Sequence, residues 1–245
     1  VIPGLEYRAK RGDTVVVFNW LPPYEDIDCP EWTDIRQVWD GLQGRNYMSV
    51  PHFHSPGALA EGEWWENPDF GGEPVLEIFS DHGSYEREDV IENGRADCKA
   101  FRSDRCGVHF LKHGFRYGFV ANSDDHKGHV GVNGVTAVFA ESLDRDALFD
   151  AYRKRHVYGT TNARIRLLFT GNGELMGAEL PNPEEIELGI DAVGENVLKK
   201  VDLFRNGDLF RRFVPDGISF HTSVRIREEE STNWYVRVTQ VDNHI

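Results

Sequence analysis

The sequence predicts an α/β domain followed by a small all-β, sandwich-like domain. Three observations carry that expectation. Over residues 1–162, β-branched runs alternate with stretches of helical spacing, the pattern of a mainly parallel sheet or barrel. Over residues 163–245, apolar residues alternate with polar ones and helical spacing disappears. The period changes near residues 160–165, which places the boundary there.

The elements follow in order. "VIPGLEYRA" is already strand-like at the start, without an initiator Met, so an internal stretch of a longer protein is expected. "DTVVVFNW" (13–20) reads as a strand covered on both faces. "WTDIRQVWDGLQGRN" spaces Ile35, Val38, Trp39 and Leu42 as one helical face, with Thr33 as a candidate N-cap and Gly44 just past the end. "NYMSVPHF" (46–53) and "EPVLEIFSDHG" (73–83) are strands. "FRSDRCGVHFLKHG" looks helical and stops at Gly114, and "YGFVANS" and "VTAVFA" (135–140) are strands again. "SLDRDALFDAYRKRHVYGTT" is the clearest helix. Ser142 or Asp144 can cap it, Leu143, Ala147, Leu148, Ala151 and Tyr152 share a face, and its C-terminal end is basic, with His156 as a helix-end cation. In the second domain, Asn206-Gly207 between two apolar runs signals a hairpin, because both residues tolerate positive φ.

Composition narrows the function. The 245 residues carry 27 basic and 41 acidic side chains, a formal charge of −14, which disfavours a nucleic-acid partner. No run approaches the ~20 apolar residues of a membrane helix, so no membrane partner is expected. Cys29, Cys98 and Cys106 are odd in number and form no CxxC pair, which disfavours disulfides and cysteine-based zinc sites and favours a reducing compartment such as the cytoplasm. There is no G-x-S-x-G elbow, no Walker A sequence and no G-x-G-x-x-G after a strand.

Ligand-type side chains concentrate in five places. Glu6 follows Gly4 by two residues. His52 and His54 stand at i, i+2, as do Asp124 and His126 in "SDDH". Glu77, Asp81 and His82 surround a strand end, and His129 lies in the loop beyond Asp124. Residues at i, i+2 of an extended segment point the same way, and ligands in α/β folds gather at the carboxyl ends of strands. Imidazole mixed with carboxylate suits Zn²⁺, Mn²⁺ or Fe²⁺. Each residue has a plainer reading: Glu6 as a surface ion pair, His54 and Asp125 as turn residues, and one of His109 and His113 as packing. The clustering alone says only "metal site".

The order of these motifs resembles the polymerase-and-histidinol-phosphatase (PHP) superfamily of metal-dependent hydrolases, and more closely its DUF3604 branch. The residues carrying the likeness are "IPGLEY", "VPHFH", "EIFSDHGSYE", "GFRYGFVANSDDHKG" and "RDALFDAYRKRHVYGTTNARI". The resemblance implies a distorted (β/α)7-type barrel, here partial, holding two or three Mn, Zn or Fe ions and acting on a small-molecule substrate such as a phosphate ester. It implies Glu6 as bridging carboxylate, His52, His82, Asp124 and His126 as ligands, and Glu77 as a ligand or a group orienting one. It assigns His129 to a substrate oxyanion. The family's opening H-x-H pair has no counterpart here, so the barrel is expected to lack its first strands and to act weakly as it stands. Asp13 also stands where a histidine would be expected. The rival expectations are a binding protein on a decayed barrel and a carboxylate-pair glycosidase.

Overall fold

The computed structural model describes residues 2–9, 12–23, 35–52, 72–87, 106–181 and 184–245. It is dominated by strands, and it is not a (β/α)7-type barrel. Among the described residues there are fifteen strands, in five small sheets, and three short helices. Strands β1 (Gly4–Ala9), β2 (Gly12–Phe18) and β3 (Tyr47–His52) form one antiparallel sheet. Strand β4 (Val75–Ser80) lies between β5 (Gly83–Ser84), antiparallel, and β6 (Gly118–Ala121), parallel. Strands β7 (Val135–Val138) and β8 (Val157–Thr160) form an antiparallel pair.

The expected parallel barrel fails for a physical reason. A parallel neighbour needs a long crossover. Ala9 pairs with Gly12, and Ser80 with Gly83, so those neighbours are hairpins. Within "DTVVVF" the apolar stretch Val15–Phe18 has neighbours on both faces, Val15 packing with Val50 and Val120. Val16 and Phe18 are fully buried with Val38 and Leu42, from the region of helix α1 (Ile35–Gly41). Val15 and Val17 face a cavity on the other side.

The helices are shorter than their sequence patterns. Helix α2 (Gly107–Lys112) is capped by His113 and followed by Gly114, whose φ of +85° suits a residue without Cβ. Its Phe110 is fully buried against Tyr85, Leu76 and Phe115. Helix α3 (Arg145–Arg153) is capped by Asp144, which accepts from Ala147 N at 2.9 Å, while Ser142 donates to Asp144 rather than to the helix. The helix stops at Arg153, and Val157–Thr160 is strand β8 rather than a helical continuation. Leu143 is exposed, and the buried anchors are Phe149 and Ala151. His156 lies at the helix end, its backbone N–H donating to Ala151 O at 2.9 Å, and burial and the neighbouring Lys154 lower its pKa. The candidate cap Thr33 lies outside the described residues, as do His54, Cys29 and Cys98.

Seven strands make up the remainder. Strands β9 (Arg166–Gly171), β10 (Glu174–Leu175), β11 (Glu185–Val193) and β14 (Ser219–Arg227) form one sheet. Strands β12 (Leu198–Arg205), β13 (Asp208–Phe213) and β15 (Trp234–Gln240) form another. Inward residues of both, including Phe169, Ile190, Leu203 and Val238, share one core. Asn206 and Gly207, at φ +50° and +79°, turn β12 into β13 as a two-residue hairpin. Glu86, following β5, ties this part to the first: its Oε1 accepts from Tyr235 Oη at 3.0 Å and from Arg237 Nη2 at 2.6 Å.

Candidate metal centre

The site is assembled at strand ends. His52 is the last residue of β3. His82 sits in the tight β4–β5 turn, where its backbone N–H donates to Ser80 Oγ at 3.3 Å. Asp124 lies three residues beyond β6 in the left-handed region, at φ +44°. A non-glycine residue held there stores strain that the surroundings must support. Here the support is a loop closed on both sides. Ser123 Oγ accepts from Gly131 N at 2.9 Å, and Asp125 Oδ2 accepts from His129 N at 2.7 Å.

The ligand atoms of His52, His82 and Asp124 lie within 4.8 Å of one another. Asp124 Oδ2 is 3.2 Å from His52 Nε2 and 3.0 Å from His82 Nε2. It is buried without a hydrogen-bond partner and has the two imidazoles at ion-pair distance. Donor atoms this close together can share one cation. Metal–ligand bonds of about 2.0–2.1 Å at tetrahedral to octahedral angles separate neighbouring ligand atoms by roughly 2.9–3.4 Å, which brackets both distances. The donor set, two imidazoles and a carboxylate, suits Zn²⁺, Mn²⁺ or Fe²⁺, and three protein ligands leave positions open.

The far side of His52 completes the geometry. Its Nδ1 is hydrogen-bonded to Glu77 Oε1, and Glu77 Oε2 accepts from Asn122 Nδ2 at 2.6 Å. His52 and Glu77 are each 4% exposed. A carboxylate on Nδ1 fixes the ring and its tautomer, leaving Nε2 for a cation. Burial alone would lower the His52 pKa. The bond to Glu77 and the negative charges of Glu77, Asp124 and Glu6 outweigh it and raise the value to about 9. A cation taking Nε2 therefore displaces a proton.

The other sequence candidates fall around this core. Glu6, on β1, lines the same cavity without joining the three-residue group. Glu77, which the resemblance allowed as a ligand or as a group orienting one, is bonded to His52 Nδ1 and stands outside the three-residue group. His126 Nε2 is 3.5 Å from Asp124 Oδ1, with a side chain 78% exposed. His129 turns back to Asp125, its Nδ1 3.0 Å from Oδ2. Sequence reasoning missed Asn122. No motif marks it, and its role depends on β4 pairing with β6, with Asn122 N donating to Phe79 O at 3.0 Å. Gly134 is a second omission: a Cβ there would lie 2.5 Å from Asn122 O, so only glycine lets the loop close against it.

Comparison with known proteins agrees with part of the likeness read from sequence. Residues 109–194 match the family described as "Protein of unknown function (DUF3604)". An uncharacterized protein of Chlamydia pneumoniae is 28% identical over 242 residues, covering 85% of this chain and 38% of that protein. An uncharacterized protein of Chlamydia trachomatis serovar D is 26% identical over 238 residues, covering 84% of this chain and 38% of that protein. The chain thus spans well under half the length of these relatives. No solved structure matches it.

Proposed function

We propose that this chain carries the metal centre of a metal-dependent hydrolase acting on phosphate esters. The observation that carries the reading is the convergence of His52, His82 and Asp124 around a buried Asp124 Oδ2 with no hydrogen-bond partner. A buried carboxylate oxygen needs a neutralising cation, a role that a divalent ion would take over from protonated His52. The Glu77–His52 pair adds the orienting carboxylate that metal-binding histidines commonly have. The order of motifs, similar to that of PHP hydrolases, supports the reaction class.

A divalent cation bound there would supply Lewis acidity and lower the pKa of water at its open positions. The chain's own residues do the rest. Glu77 and Asn122 lock the His52 ring. Asp124 holds negative charge between two imidazoles. Glu6 stands across the cavity as a candidate further carboxylate, and His126 and His129, exposed beside Asp124, are candidates to meet a substrate oxyanion.

The test is metal content by inductively coupled plasma mass spectrometry, beside hydrolysis of phosphate esters with and without chelator. The parent chain is expected to hold Zn, Mn or Fe near stoichiometry, and Asp124→Ala and His82→Ala to lose it. A metal-free parent after growth in supplemented medium, with unchanged variants, would overturn the proposal.

A further inference from the structure

The cleft at the metal centre has two unlike ends. Its volume is about 390 Å³, within the range of small-molecule pockets. Its polar lining is Glu6, His52, Glu77, Asn122 and Asp124, and its apolar lining includes Val15, Val17, Met48, Val50, Val120 and Tyr152. Across β1–β3 the rows step from Val17 beside Met48, through Glu6, Val15 and Val50, to His52, so the end farthest from His52 is apolar. The Tyr152 hydroxyl is already engaged with the Thr136 side chain, so it offers little to a ligand. The valines of β2 and β3 and Val120 of β6 present only methyl groups.

From this we infer that the ester handled here has an apolar alcohol portion, of about the size of a phenyl ring, which occupies the valine-lined end. The inference rests on the phosphoesterase reading above and names its substrate class. A sugar or polyol placed against these walls would leave its hydroxyls without partners, each at a cost comparable to a lost hydrogen bond. An aryl or branched alkyl group would instead exchange water for methyl contacts. Burying a ring in place of a methyl removes roughly 100 Å² more apolar surface from water, which corresponds to about tenfold to hundredfold tighter binding.

The test is calorimetric titration of the Mn²⁺-loaded chain with methyl-, butyl- and phenylphosphonate, which are not hydrolysed. Affinity is expected to rise along the series, with phenylphosphonate at least tenfold tighter than methylphosphonate. Val17→Phe, which fills the apolar end, should remove that preference while metal content stays as in the parent. The ligand series alone decides the matter if that variant does not fold. Equal affinities with metal bound would overturn the inference and leave the metal-centre reading standing. Metal bound but no phosphonate binding at all would overturn the phosphoester reading, and the inference with it. A chain that takes up no metal would overturn both.

Discussion

Replacing Glu77 by Gln tests the site through a residue that is not one of the three converging ligands. The two side chains have the same shape, so packing around a 4%-exposed position is preserved. What changes is the acceptor on His52 Nδ1. In the parent, Glu77 accepts from His52 through Oε1 and from Asn122 through Oε2. A glutamine has one acceptor oxygen and one donor nitrogen, so it cannot serve both partners as they stand. If the amide nitrogen faces Nδ1, the His52 proton moves to Nε2, which blocks ligation. If the oxygen faces Nδ1, Asn122 must rotate and the charge is still lost. A hydrogen bond to a charged group is worth about 1.5–3 kcal/mol and a neutral one about 0.5–1.5. The difference, roughly 1–1.5 kcal/mol, is about a tenfold loss of metal affinity, at the low end of the 10–100-fold typical for outer-shell partners. The assay is competitive titration of Zn²⁺ against a chromophoric chelator, with circular dichroism to establish that the metal-free variant is folded. If folded Glu77→Gln binds Zn²⁺ within twofold of the parent while Asp124→Ala does not, Glu77 does not orient His52 and the argument fails.

Three further outcomes are expected. Gly134→Ala puts a Cβ within 2.7 Å of both Asn122 O and Asn122 N; it should cost about 1–3 kcal/mol in urea denaturation and also weaken metal binding, and a silent substitution would refute the close packing. Phe110→Ala removes a fully buried ring packed edge-on to Phe115 and Tyr117, and should destabilise by about 3–5 kcal/mol; a loss below 1 kcal/mol would contradict that packing. Asp202 is fully buried; desolvation pushes its pKa up, but the two-pronged bond to Arg212 and the charge of Lys200 prevail and hold it below the ordinary value. Its folded pKa is the lower one, so its contribution is present above the unfolded value of about 3.9 and is lost as pH falls through the folded value. Asp202→Asn should therefore be less stable than the parent at neutral pH, with the gap closing in acid. A gap that does not change between pH 7 and pH 2 would exclude the linkage.

Local chemistry was legible in the sequence where one segment decides it. Asn206-Gly207 dictates its hairpin because both residues accept positive φ. Asp144 caps α3 because its side chain meets Ala147 N one turn on. The sheet architecture was not legible. A run such as "DTVVVF" looks the same whether its neighbour is parallel or antiparallel, and covering both faces mimics a parallel interior strand. Here helix α1 covers one face and a cavity borders the other. Helix extent was also overstated: the basic run "RKRH" reads as a helix end, but the β-branched residues of "VYGTT" favour a strand and its glycine disfavours a helix, and the chain turns at Arg155, φ +60°, into β8.

The site was partly legible for a related reason. With 41 acidic residues and ten histidines in the chain, no single candidate stands out, but clustering near strand ends marked His52, His82 and Asp124 as part of a set. What the sequence could not order was their roles. Ligand or support is decided by which atom faces which neighbour, and those neighbours are far apart in sequence: Glu77 is 25 residues from His52, and Asn122 is 45 from Glu77. The segment matching DUF3604, residues 109–194, contains Asp124 but neither histidine. A cation at this centre would therefore join that segment to β3 and to the β4–β5 turn, so loading the site should protect all three from unfolding together. Hydrogen exchange with and without Zn²⁺ reads this directly. Protection confined to residues near Asp124 would mean that the two histidines do not share its ion.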